Sequence, residues 1–459
     1  MKTPIKDFAK KYALAKPVRL HMPGHKGVSF FGCEKYDLTE VDGADVLYSP
    51  AGIIEESMAN ATSLFGSERT LYSTEGSSLS IRAILHLVKG YAIEQNKKPK
   101  VLAYRNAHKS FVTACALLEV DVKWLYGNSN GILSCSFDLS TIESAIIKEK
   151  PSALFVTSPD YLGGVAPIAQ IADVCHKHGV ILAVDNAHGA YLKFTSKGGH
   201  PIDLGADLVC DSAHKTLPVL TGGAYLHISK NAPKYFAKNA LSALSLHAST
   251  SPSYLILQSL DNTNGILAKN PCYFDGAIQR VAKLKAILTD KGFNVVGDEE
   301  MKLTISTKPY GYTGKEVAEY LKKNNVFVEF CDNDFVTMMF SPCNNKKDFA
   351  KTAKALLSLQ RKTAINTTAP LAKEMKTGMS MTEAIFAPFE TIDVDNAEGR
   401  ILSSPTVSCP PAIPIVVCGE IIDHHAIEMM KYYSIKTCNV VKNKSVTTKS
   451  NVFARFFRQ

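Results

Sequence analysis

The sequence is short of the features that mark secreted, membrane-spanning or nucleotide-binding proteins. No apolar run approaches the ~18 residues that a membrane span requires. The opening Met1-Lys2-Thr3-Pro4-Ile5-Lys6-Asp7 lacks the apolar stretch of a signal peptide. Cytoplasmic residence with no membrane partner is therefore expected. The eleven cysteines are scattered, odd in number and without a CxxC pair, so reduced, mostly buried thiols are expected in place of disulfides. Without paired ligand spacing, no metal site is expected either. Also missing are the GxGxxG dinucleotide fingerprint, the GxxxxGK[ST] phosphate loop and the GxSxG nucleophile elbow. Their absence removes the main competing occupants of an open α/β sheet. No RNA- or DNA-binding motif accompanies the formal charge of +9. Part of that charge gathers in Lys442, Lys444, Lys449, Arg455 and Arg458, which reads as a solvated basic tail, and no nucleic-acid partner is expected. A positive field also suits an anionic cofactor.

What is present is an ordinary globular composition, 46% apolar and 21% charged, spread over 459 residues, too many for one core. Between residue 66 and about residue 230, short apolar β-branched runs alternate with helical patterns. Strands are expected at 100–104, 121–126, 153–157, 181–185, 206–210 and 224–228, and helices at 109–119, 139–149 and 168–178. That alternation predicts an α/β fold with a mostly parallel sheet covered on both faces. Helices at 5–14 and 54–65 precede it. Beyond residue 270 the texture becomes α+β, with helices at 276–289, 316–323 and 347–359 and strands at 302–306, 326–330 and 335–340. The expected units are an N-terminal helix and loop over 1–50, a large α/β domain over 51–270, a small α+β domain over 271–365, and a C-terminal arm with a basic tail over 366–459.

Chemistry gathers at the expected strand ends. Ile181-Leu182-Ala183-Val184 runs into Asp185, and Ala206-Asp207-Leu208-Val209-Cys210 runs into Asp211-Ser212-Ala213-His214-Lys215. An aspartate and a lysine at the carboxyl ends of two parallel strands stand where open α/β sheets bind ligands. Pyridoxal phosphate requires such a pair, a lysine amine for the Schiff base and a carboxylate for the pyridine nitrogen. Taken singly, each residue reads as well as a surface lysine or a capping aspartate. Ser73-Thr74-Glu75-Gly76-Ser77-Ser78 precedes a helical run and offers hydroxyls and backbone N–H groups to a phosphate. His108, His188 and His214 fall just beyond three strand ends, where imidazoles suit ring stacking and proton delivery.

The order of these segments resembles the Orn/Lys/Arg decarboxylase family. The resemblance rests on His21-Met22-Pro23-Gly24-His25-Lys26-Gly27, Asp37-Leu38-Thr39-Glu40, Glu75-Gly76-Ser77-Ser78, Arg105-Asn106-Ala107-His108-Lys109-Ser110, Asp185-Asn186-Ala187-His188-Gly189 and Ser212-Ala213-His214-Lys215-Thr216. Thr250-Ser251-Pro252-Ser253-Tyr254, Glu383-Ala384-Ile385-Phe386-Ala387-Pro388 and Pro410-Pro411-Ala412-Ile413-Pro414 extend it. It implies fold type I, the aspartate aminotransferase-like architecture with a seven-stranded sheet, and decarboxylation of a basic L-amino acid, arginine ranked before lysine and ornithine. It implies a place in polyamine biosynthesis and a homodimer, or a multiple of dimers, with active sites at the interface. Residue by residue, it implies that Lys215 carries the cofactor, Asp185 pairs with the pyridine nitrogen, and His108 and the Ala187-His188 segment flank the ring. Ser77, Ser78, Ser212 and His214 hold the phosphate, and His188 or Lys215 returns the proton to Cα. Glu329 and Glu420 are candidate readers of the substrate's cationic end, and the loop carrying His21 and His25 borders the site. Where the family usually has glutamate, histidine, glycine and proline, this chain has Asn186, Tyr191, Ala412 and Cys418. The competing readings are another fold type I reaction, with Arg400 gripping an α-carboxylate, or an idle cofactor-binding regulator.

Overall fold

The computed structural model describes residues 1–127, 131–409 and 413–442. Seven strands form the main sheet: β1 (Arg69–Ser73), β2 (Lys100–Tyr104), β3 (Asp121–Leu125), β4 (Ala153–Thr157), β5 (Ile181–Asp185), β6 (Leu208–Asp211) and β7 (Ala224–Ile228). Their order is β1-β7-β6-β5-β4-β2-β3, parallel from β6 to β3, with β7 antiparallel to both its neighbours. β4, β5, β6 and β7 are buried along their whole length, as their unbroken apolar runs require when helices cover both faces. The parallel strands end together, so Asp185 of β5 stands level with Thr157 of β4 and Cys210 of β6. This carboxyl edge positions the site.

A second, antiparallel sheet follows, comprising β8 (Asn294–Val296), β9 (Lys302–Ser306), β10 (Phe330–Cys331) and β11 (Phe335–Met339), in the order β10-β11-β9-β8. The strand expected at 326–330 is reduced to its last residue. Val326 N–H instead completes the preceding helix by bonding to Leu321 O, and Asn325 takes a left-handed φ of 56°, so the chain turns before it can pair. Helices Gly314–Lys323 and Lys346–Leu357 open on capping boxes, Thr313 with Glu316 and Asn345 with Asp348. The C-terminal arm is built from two ribbons, β12 (Phe389–Asp393) with β15 (Thr437–Val441) and β13 (Thr406–Cys409) with β14 (Ile413–Val417), around helix His424–Tyr432. The motif residues Pro410, Pro411 and Ala412, and the basic tail beyond Lys442, lie outside the described residues. Among the described residues, no helix is long and apolar enough to cross a membrane.

Candidate active site

The single helical turn Ala213–Thr216 leaves β6 and carries Lys215 back over the end of β5. Its Nζ lies 3.0 Å from His188 Nε2. Burial lowers the Lys215 pKa against the opposing pull of Asp185 and Glu329. Asp185 is itself buried. Its Oδ1 accepts from Ala187 N at 3.1 Å and from Cys210 Sγ at 3.6 Å. Burial raises its pKa and the nearby Lys215 ammonium works against that rise, so the two groups share one electrostatic environment. The next residue is pinned as well, because Asn186 Nδ2 donates to Asp211 Oδ1 at 2.6 Å.

Asp211 also joins His200 and His227, the one cluster of metal-ligand composition among the described residues. It is a hydrogen-bond network. Ile202 N–H donates to His200 Nδ1 at 3.3 Å, which leaves the proton on Nε2, and that proton points at Asp211 Oδ2 over 3.0 Å. His227 Nε2 meets the same oxygen at 3.1 Å. Burial alone would raise the Asp211 pKa, but the two imidazoles outweigh it and hold the carboxylate ionised.

The helix Gly76–Glu94 points its N-terminus at the same edge, and the first-turn N–H groups of any helix lack intrahelical partners. Ser77 Oγ accepts from Ser212 Oγ at 2.8 Å, and Ser78 Oγ meets Ser110 Oγ at 2.8 Å. Gly76 has a φ of +70°, and a Cβ there would stand 3.9 Å from His214 Cε1. His214 donates through Nδ1 to Gly223 O at 3.0 Å, which aims the ring edge at this cradle. A pyridoxal phosphate fits the chemistry of these residues, which supply serine hydroxyls at a helix N-terminus, a lysine amine and a buried carboxylate. The buried His188 Nδ1 has no hydrogen-bond partner in the protein, as a group facing a ligand would.

His108 caps the helix Lys109–Leu118, its Nδ1 accepting from Ser110 N at 3.2 Å. Burial, helped by Lys215 and Lys109, lowers its pKa from 6.5 to about 4. Between those values the unfolded chain binds a proton that the native imidazole refuses, so stability falls as pH falls through the window. The loss reaches about 3 kcal/mol at most. Denaturant midpoints of the cofactor-free protein at pH 7 and pH 4.5 should differ accordingly, and His108→Asn, which keeps a capping side chain, should narrow the difference.

The remaining expected residues are placed unevenly. Glu329 is exposed and its charge reaches Lys215 and His214. Glu420 is engaged within the protein. Its carboxylate is buried and accepts from Arg105 Nη2 at 2.7 Å and from Val417 N at 2.9 Å. The chain departs β2 through Arg105, so this pair ties the active-site edge to the C-terminal arm. Arg105→Met would strand the Glu420 charge and should cost about 3–5 kcal/mol of unfolding free energy. Adding Glu420→Gln should recover part of that loss in the same denaturation measurement. His21 and His25 stay within the N-terminal segment, bonded to Tyr12 at 2.6 Å and Asp37 at 3.2 Å. Tyr191 is fully buried against Phe274. Arg400 is committed to Glu390 at 2.6 Å and Val441 O at 2.9 Å. Sequence reasoning missed Tyr161, whose ring lies 4.9 Å from that of His188 and 5.7 Å from Lys215 Nζ. Its position after β4, at the same edge as the other site residues, was the available signal.

Known proteins resemble this chain over nearly its whole length. The family model for the Orn/Lys/Arg decarboxylase major domain matches residues 3–291, and that for the family's C-terminal domain matches residues 359–442. An arginine decarboxylase of Bacillus subtilis is 30% identical, over 93% of this chain and 92% of its own length. One from Halalkalibacterium halodurans is 29% identical over 92% of this chain and 91% of its own. A lysine decarboxylase structure from Francisella novicida superposes with a TM-score of 0.79 at 16% identity, covering 96% of this chain and 81% of that one. A NifS-like protein shares the fold over 69% of this chain and 91% of its own, with a TM-score of 0.54 at 14% identity. With the family's major-domain model matching across Asp185 and Lys215 and its C-terminal model matching the arm, the chain belongs to the Orn/Lys/Arg decarboxylase family of pyridoxal-phosphate-dependent amino acid decarboxylases, built on fold type I.

Proposed function

We propose that this protein releases CO2 from a basic L-amino acid, arginine before lysine or ornithine, at the centre formed by Lys215 and Asp185. The observation that carries this reading is that pairing, a half-buried amine and a buried carboxylate that follow or end adjacent strands. The arginine preference is supported by the two relatives named as arginine decarboxylases. When bound, pyridoxal phosphate supplies the electron sink for the Cα–carboxylate bond. Lys215 would anchor it through Nζ. Asp185 would hold a proton on the pyridine nitrogen, and Ser77, Ser78, Ser212 and His214 would bind the phosphate. His108 and His188 would flank the ring. His188 Nε2 or Lys215 Nζ delivers the proton to Cα. Glu329 reads the cationic end of the substrate, using its exposed carboxylate on the Lys215 side. A homodimer belongs to the same reading, supported by Val18, Leu20, Met22, Val28, Phe30 and Phe31, exposed apolar residues surrounding His21 and His25. Residence in the cytoplasm and a role in polyamine biosynthesis complete it. An aminotransferase reading loses its proposed carboxylate grip, because Arg400 is already paired.

CO2 release should be measured with the cofactor-loaded protein on L-arginine, L-lysine and L-ornithine separately. Arginine should give the highest kcat/KM. Full cofactor loading with no release from any of the three would refute the reading.

A further inference from the structure

The loop that leaves β4, residues 158–164, is tightly closed. Asp160 N donates to Gly164 O at 2.9 Å, and Asp160 Oδ1 accepts from Leu162 N at 3.0 Å and Gly164 N at 2.7 Å. This turn sends Tyr161 over the site. Its ring meets the His188 ring edge-on at 63°, and Phe330 lies on its far side, 6.4 Å away between centroids. That contact bears on His188. Its Nε2 bonds to Lys215, but its Nδ1 has no protein partner to set the ring's rotation.

The small sheet grips the same loop from below. Lys302, the first residue of β9, is 2% exposed and donates through Nζ to Asp160 O at 2.7 Å. Asp298 N and Glu299 N both donate to Gly163 O, at 2.8 and 2.9 Å. The approach leaves no slack, since a Cβ on Gly297 would stand 2.3 Å from Leu162 O. The charged groups facing Lys302 are Glu299 and Asp160, with Lys215 and Glu329 beyond them. Burying an ammonium is costly unless it is paired and bonded. Here the ammonium is fastened to the carbonyl next to the aromatic residue that touches the active-site lysine.

We propose that Tyr161 is a positioning residue of this active site, fixing His188 against Lys215 by ring contact, and that Lys302 holds Tyr161 there through the Asp160 carbonyl. The proposal rests on the reading of Lys215 as the cofactor lysine. Its test therefore begins in the cofactor-free protein, where the pH profile of Lys215 modification needs neither cofactor nor substrate. Reductive methylation by formaldehyde, followed peptide by peptide in a mass spectrometer, reads that profile. The groups facing Lys215 are Asp185, Glu329, Cys210, His188, His108, His214 and Lys302.

Tyr161→Ala replaces the ring by water and should move the midpoint upward, toward that of an ordinary lysine, by about one pH unit. In the loaded enzyme it should lower kcat by about 10- to 100-fold with little change in KM. Tyr161→Phe keeps the ring and should match the wild type in both readouts. Lys302→Met should raise the midpoint as well, in part by removing a positive charge that faces Lys215, and the double variant with Tyr161→Ala should lower kcat no further than Tyr161→Ala alone, because both act on turnover through one contact. Additive falls in kcat would overturn the link, as would a Lys302→Met protein that melts earlier with its Lys215 profile unmoved. A Tyr161→Phe variant as damaged as Tyr161→Ala would overturn positioning by the ring. The two Tyr161 variants leave the buried Lys302 cluster untouched, so they decide the question even where Lys302→Met does not fold.

Discussion

Lys215→Ala is expected to lower kcat for amino acid decarboxylation by about four orders of magnitude or more while leaving the fold intact. Lys215 stands on a one-turn helix whose neighbours Ala213 and Thr216 are buried and carry its packing. Alanine is a good helix former, so the backbone has no reason to move. What disappears is the amine, lowered in pKa by burial and therefore a better nucleophile near neutral pH than a solvated lysine. The thermal midpoint of the cofactor-free variant should stay close to wild type while CO2 release is lost. A variant within tenfold of wild type would assign the cofactor to another amine, and the buried Lys302 would then be the first to examine.

Asp185→Asn should cost about 10²- to 10³-fold in kcat, the range found when one preorganised electrostatic partner is removed. The asparagine has nearly the same shape. Its carbonyl still accepts from Ala187 N, so the strand end keeps its geometry. It has no negative charge to hold a proton on the pyridine nitrogen, and the electron sink weakens. Cofactor binding should survive, because the phosphate cradle at Ser77 and Ser212 is separate. Kinetics and cofactor occupancy measured on one preparation separate the two effects. Wild-type turnover by the variant would mean that the carboxylate does not support the ring.

Much of this site was legible because its residues follow strand ends, and short buried strands announce themselves as apolar runs. Asp185 after Ile181-Leu182-Ala183-Val184 is the clearest case, and the structure ends β5 on that residue. Ser77 and Ser78 were legible as helix-start chemistry, although the helix begins earlier than the apolar pattern, at Gly76. Less was legible where pairing is long-range. β1, Arg69–Ser73, has only Leu71 and Tyr72 as an apolar signal and gains its place by pairing with β7. Helix Tyr254–Lys269 carries Asp261 and Asn264, poor helix formers made tolerable by Ser57 at 2.6 Å and Tyr72 at 2.8 Å. Glu420 looked like a free carboxylate because nothing local foretells an arginine 315 residues away. Lys302 and Asp160 are 142 residues apart, so no local spacing could join them.

The most direct test of the account follows the carboxyl carbon itself. L-Arginine labelled at that carbon should be incubated with the cofactor-loaded protein, and both gas and solution analysed by mass. The account predicts labelled CO2 and an equal amount of the unlabelled amine. A keto acid that keeps the label, or labelled arginine recovered unchanged from protein saturated with cofactor, would contradict it.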